Sequence, residues 1–261
     1  MGENRILINT KNANMQILNS SEYINEKLDI KPISKKTLDE MGNEPEHDEK
    51  TKKFIRIYNL KYNIGTRRYD SKQRVTVRND DLVDGKLPLK FGTIEGKFDC
   101  NYCTKLKTLE GAPISALSFE CHDCTSLESL EHAPKFVDGL FNCGGCPNLT
   151  SLEGVPNEVG NLIVSSSGIT SLKGAPKIIH GYLDCAHCQN LKTIEGAPSR
   201  IGGDFDLLDC ENLVSLKGAP EYVGGDLNMK GCSSLPSEES ANLPKTVMGE
   251  IKPPLNMSLK R

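Results

Sequence analysis

Large apolar side chains are scarce in this chain, and the scarcity limits how it can fold. Tryptophan is absent, aromatic residues make up 5% of the 261 positions, and hydrophobic residues of all kinds reach 37%. Such a composition cannot fill a deep globular core with bulky groups, so a thin core shared between stacked elements is expected. No run of about 18 apolar residues is present to span a bilayer. The opening MGENRILINTKNANMQ also lacks the apolar stretch of a secretory signal. A soluble chain in the cytoplasm is therefore expected, with its ten cysteines as free thiols rather than a disulfide framework. Turn-forming residues, by contrast, are plentiful, with 23 Gly and 14 Pro.

Charge is unevenly distributed. Residues 1–90 carry 18 basic and 14 acidic side chains and residues 91–261 carry 14 and 21, a change from +4 to −7. Nucleic-acid binding depends on Lys and Arg neutralising phosphates, so the acidic region argues against such a ligand. A protein partner with a basic or neutral surface is expected, and neither nucleic acid nor membrane.

Four regions follow from the pattern along the chain. Residues 1–53 form a small polar α/β N-terminal segment. In it Ser21 caps a helical pattern with Tyr23, Ile24 and Leu28, Ser34 caps another that ends at Gly42, and NEPEHDEKTKK (43–53) reads as a charged linker. Residues 54–90 read as an N-terminal cap, with strand-like alternation at Ile55 and Ile57 and again at Val75 and Val77. Residues 91–235 repeat themselves, and 236–261 read as a C-terminal cap or tail.

The repeat is regular. A proline recurs at Pro113, Pro134, Pro156, Pro176, Pro198 and Pro220, at intervals of 20 to 22 residues. Leucine-type residues recur with it at Leu109, Leu130, Leu152, Leu172, Ile194 and Leu216, and an aliphatic–Gly–Gly–x–apolar–x–apolar pattern falls between. Each unit of about 22 residues supplies one short strand with a single buried face and a Gly-Pro turn back, giving about seven coils with few or no helices. The fold class is a repeat solenoid with parallel strands. Its open ends leave room for a homo-oligomer.

IHGYLDCAHCQNL at residues 179–191 resembles the leucine-rich repeat LxxLxLxxN/CxL, with Cys188 in the N/C place. The recurring SLEGAP with VGG is similar, more narrowly, to leucine-rich-repeat-like proteins of tailed bacteriophages. That resemblance implies a viral origin and expression in a bacterial host, and it implies no activity. It also implies that the outward strand face is the concave, partner-binding one.

Four CxxC pairs, Cys100/Cys103, Cys121/Cys124, Cys143/Cys146 and Cys185/Cys188, have the spacing of half a zinc site. In other coils the first cysteine becomes Val164, Leu207 or Met229, so the position asks for an apolar group. The second becomes Ser167 once and stays Cys210 and Cys232. The favoured reading is core filling with an inward ladder, so no cofactor or metal is expected, and a metal or redox centre is the alternative. The outward face carries the candidate partner-binding residues Asp99, Tyr102, Glu120, Asn142, Tyr182, Asp184, Asp204, Asp206, Asp226 and Asn228. No GxxxxGK[ST], GxSxG or HExxH motif occurs. A non-catalytic, phage-encoded binding module acting on a host protein, such as an antiviral defence component, is the first expectation. A virion structural component is another alternative.

Overall fold

The computed structural model of the chain describes residues 44–257. Residues 46–63 and 67 onward cluster as one compact unit, which contains the repeat array. The two helical patterns expected between Ser21 and Gly42 lie outside the described residues.

The compact unit opens with a helix, α1 (Glu49–Ile57), where a charged linker followed by a strand is expected from the sequence. Local chemistry explains the difference. Asp48 caps the helix by accepting the Thr51 N–H at 2.7 Å, Glu49 lies in the first turn and Arg56 in the last, which suits the helix dipole. One buried residue, Phe54, anchors it, with its ring 4.7 Å from that of Tyr58 and 6.2 Å from that of Phe91. The alternation at Ile55 and Ile57 therefore carries no strand, and Ile57 is exposed. β1 (Lys61–Asn63) and β2 (Arg68–Ser71) then pair antiparallel, and β2 and β3 (Val75–Thr76) lie parallel on β4 (Phe91–Asp99).

From β4 the array is a parallel β-solenoid of about eight turns. The strands β5 (Ser115–Glu120), β6 (Phe136–Asn142) and β7 (Glu158–Ile163) each bend through a break in register. In later coils a step at a glycine, His180-Gly181 and then Gly202-Gly203 and Gly224-Gly225, divides the strand in two. These pairs are β8 (Ile178–Ile179) and β9 (Leu183–Asp184), β10 (Arg200–Ile201) and β11 (Phe205–Asp206), then β12 (Tyr222–Val223) and β13 (Leu227–Asn228). A further coil follows, with a 3-10 turn at Ser237–Asn242 and strands β14 (Thr246–Val247) and β15 (Ile251–Lys252). Residues 236–252 thus form a paired coil rather than a tail. Backbone N–H groups of Cys185, Leu207 and Met229 donate to the next coil, each at 2.8 Å, and the same place in the last coil is Pro253, which has no N–H to give.

The core is a set of columns running along the stack. Phe98, Phe119, Phe141, Leu162, Leu183, Phe205 and Leu227 form one of them, all essentially inaccessible. Phe98 and Phe119 stack with centroids 5.7 Å apart and planes 5° from parallel. Four of the seven phenylalanines therefore lie where neighbouring coils share them. Full burial of each such side chain contributes on the order of 2 kcal/mol, and each depends on the coils either side.

Turns explain the rest of the repeat. In SLEGAP the hydroxyl two residues before the acid accepts its N–H, Ser129 Oγ from Glu131 at 3.0 Å and Ser151 Oγ from Glu153 at 3.1 Å. The glycine adopts a left-handed conformation, φ +108 at Gly154, and all six repeat prolines are buried.

Candidate functional site

The outward column is in register along the stack, pairing Asp99, Glu120, Asn142, Ile163, Asp184, Asp206 and Asn228 in that order. Most of these side chains have work inside their own coil. Each Asp or Asn oxygen accepts the backbone N–H two residues on: Asp99 from Asn101 at 3.1 Å, Asn142 from Gly144 at 3.0 Å, Asp184 from Ala186 at 2.9 Å and Asp206 from Leu208 at 2.8 Å. Asn228 takes the Lys230 N–H at 3.3 Å. These bonds close the turn out of the strand, which is why the position favours short side chains with an acceptor.

A second column at the glycine break has a different task. There the register slip leaves the next coil's N–H without its ladder partner, and a side chain supplies the acceptor. Asp204 Oδ1 accepts from Asp226 N at 2.8 Å, Asp226 Oδ1 from Glu250 N at 2.8 Å, and Asn161 Oδ1 from Tyr182 N at 3.0 Å. Asp204 and Asp226, singled out for binding, are thus also structural.

Charge pairing then separates the carboxylates. At one end Arg74 and Lys97 pair with Asp99, and Lys97 reaches Glu120 at 2.6 Å. At the other, Lys252 meets Asp226 at 2.7 Å, which holds the Asp226 carboxyl below its usual range and raises the Lys252 ammonium. Among the described residues no cation lies within 4 Å of Asp184, Asp204 or Asp206. Sequence alone did not reveal this division, because Arg74, just before β3, and Lys252, in β15, lie one coil removed from their partners.

The two tyrosines differ in setting. Tyr102 lies past the strand in a left-handed turn, φ +60; the residue is 64% exposed, with its ring edge-on to His122 at 4.5 Å. It borders an open cleft of about 420 Å³ lined also by Thr76, Arg78, Asn79, Asp99 and Asn101. Tyr182 is 38% exposed on the face itself. Partial burial, and then the carboxylates of Asp184 and Glu120, push its phenol up.

The cysteines face inward. All ten are free and buried. Each second-place thiol donates to the carbonyl of the first-place residue one coil back: Cys103 to Val77 at 3.4 Å, Cys124 to Cys100 at 3.1 Å, Cys146 to Cys121 at 3.3 Å and Cys188 to Val164 at 3.2 Å. Cys210 and Cys232 continue the series onto Cys185 and Leu207. Burial pushes the Cys103, Cys146 and Cys232 thiols up to about 12, and those of Cys121, Cys143 and Cys185 well above the usual thiol range. Such groups stay protonated and are poor nucleophiles. Among the described residues no group of three or more His, Cys, Asp or Glu is placed to hold a metal ion, and no helix is long and apolar enough to cross a membrane.

Comparison with known proteins adds no relative. No family model, curated protein or solved structure matches the chain.

Proposed function

We propose that the chain is a non-catalytic binding module that holds a basic protein surface against its outward strand face. The observation that carries this reading is the state of three carboxylates. Asp184, Asp204 and Asp206 are each fixed by a backbone N–H, and none has a cation within 4 Å among the described residues. Their neighbours Asp99, Glu120 and Asp226 are already paired. Fixed, unneutralised acceptors on a rigid sheet favour a cationic partner, because little ordering entropy remains to be lost on binding. The similarity of SLEGAP and VGG to phage leucine-rich-repeat-like proteins adds the setting: a phage-encoded module acting in the host cytoplasm on a host protein, such as an antiviral defence component.

The test is recovery of a host protein on immobilised full-length chain, compared with a variant carrying Asp184→Asn, Asp204→Asn and Asp206→Asn. The amide keeps the oxygen that accepts each backbone N–H and removes the charge. Recovery of the protein is expected to fall sharply with the variant. Equal recovery would reject the acidic face as the contact surface.

A further inference from the structure

Five positions on the outward face depart from the hydrogen-bonding pattern of the columns; Lys97 and Glu120 do so as an ion pair at 2.6 Å, and the three with apolar or aromatic side chains lie in successive coils. Ile163 stands where Asp99, Asn142, Asp184, Asp206 and Asn228 each accept an N–H two residues on. Leu140 and Tyr182 stand in the column where Asn161, Asp204 and Asp226 accept an N–H from the next coil. Glu120 also departs from its column, but there Asn101 Oδ1 takes the His122 N–H at 3.0 Å and the turn is still closed. Among the described residues no such substitute side chain serves at the other three.

These departures are contiguous. Leu140 pairs with Asn161, Asn142 with Ile163, and the Tyr182 N–H binds Asn161 Oδ1. With strands about 4.8 Å apart, the three side chains span roughly 10 Å along the stack. Each gives up an acceptor worth about 1 kcal/mol and sets apolar surface toward solvent. The core behind them, Phe141, Leu162 and Leu183, is that of an ordinary coil and offers no reason for the exchange. Local departures of this kind collect where a surface has a task other than stability.

The chemistry around the shelf identifies its occupant. Beyond Tyr182 lie Asp184, Asp204 and Asp206, with no cation within 4 Å among the described residues, while on the other flank Glu120 is occupied by Lys97. We infer that Leu140, Ile163 and Tyr182 seat an extended, lysine- or arginine-bearing segment of a partner protein, its aliphatic and apolar atoms on the shelf and its cationic head on the three carboxylates. The inference rests on the strand face being the binding surface, and adds where the contact centres and what it selects. A long basic side chain matches both halves, since its methylene stem packs while its head stays among charges. Tyrosine beside it supplies the rigid amphipathic contact typical of an interface centre.

The experiment uses the full chain and a fluorescein-labelled peptide of alternating leucine and arginine, followed by anisotropy, with an alternating leucine–glutamate peptide as control. One variant combines Ile163→Asn with Tyr182→Asn, which restores the repeat's acceptors and is expected to fold with an unchanged or higher unfolding midpoint. A second carries Asp184→Asn, Asp204→Asn and Asp206→Asn. The inference expects saturable binding of the leucine–arginine peptide alone, weakened about tenfold or more by each variant. Loss with the charge variant only would overturn the shelf while leaving the acidic-face reading standing. Loss with neither, equal binding of the glutamate peptide, or no saturable binding would overturn the inference outright, whatever the host-protein recovery shows.

Discussion

The Oδ1 atom of Asp204 receives the N–H of Asp226 at 2.8 Å across a space that exists because residue 225 is glycine: a Cβ there would stand 2.0 Å from the same oxygen. Asp226 with Gly249, Asn161 with Gly181 and Asp70 with Gly92 repeat the relationship, the imagined Cβ falling 2.0 to 2.2 Å from the side-chain oxygen each time. Acceptor and glycine form one device that bridges the break in the ladder.

Gly225→Ala is therefore expected to destabilise by about 1–3 kcal/mol through overpacking, and Asp204→Ala by about 1 kcal/mol through the lost bond. Combined, they are expected to cost less than their sum by at least about 0.5 kcal/mol, since removing the carboxylate relieves part of the clash. Urea unfolding of the four proteins measures the coupling. Strict additivity would show the two residues to be independent.

The SLEGAP glycine offers a contrast. One coil has His132 in that place, left-handed at φ +68, while Gly154 in the next would bring a Cβ within 2.2 Å of the Leu130 carbonyl oxygen. Relief of the left-handed penalty, offset by glycine's greater unfolded-state freedom, predicts that His132→Gly stabilises by about 0.5–1 kcal/mol. Gly154→Ala is expected to do the opposite. Thermal or chemical unfolding reads both signs.

The thiol column makes stability depend on pH at the alkaline end. Cys103, Cys146 and Cys232 have thiols raised to about 12, so the folded chain keeps protons that the unfolded chain releases near the ordinary thiol range of about 8.5. Below that range both states are protonated and stability is flat in pH. Above it the unfolded state binds fewer protons, and stability falls by up to about 1.4 kcal/mol per thiol per pH unit until the folded thiols titrate. Unfolding midpoints from pH 7 to 10 are expected to fall less steeply in Cys103→Ser. A thiol reagent at pH 8 is expected to label the native chain only at its unfolding rate.

Asp184 separates charge from structure. Asp184→Asn retains the oxygen that accepts the Ala186 N–H and is expected to leave stability within about 0.5 kcal/mol of the parent. Asp184→Ala removes the acceptor and is expected to cost about 1 kcal/mol. Circular dichroism during denaturation distinguishes them. Equal losses in the two variants would show that the carboxylate, not the turn bond, stabilises the coil.

Repetition made the solenoid legible in the sequence. A period near 22, leucines at fixed offsets, the Gly-Pro turn and the exchange of cysteine for Val164, Leu207 and Met229 all depend on local spacing, which a linear reading preserves. The outward column from Asp99 to Asn228 could be aligned on the same basis. The ends were not so legible. α1 rests on one capping carboxylate and one anchored ring against Phe91, and β14 and β15 on pairing with the coil before them. Only the tertiary structure decided which carboxylates are neutralised and which hold up the backbone. The turn bonds two residues on are local, but the deciding partners lie one coil away, more than 20 residues along the chain, and stacking alone brings Arg74 to Asp99, Lys252 to Asp226 and the Asp226 N–H to Asp204.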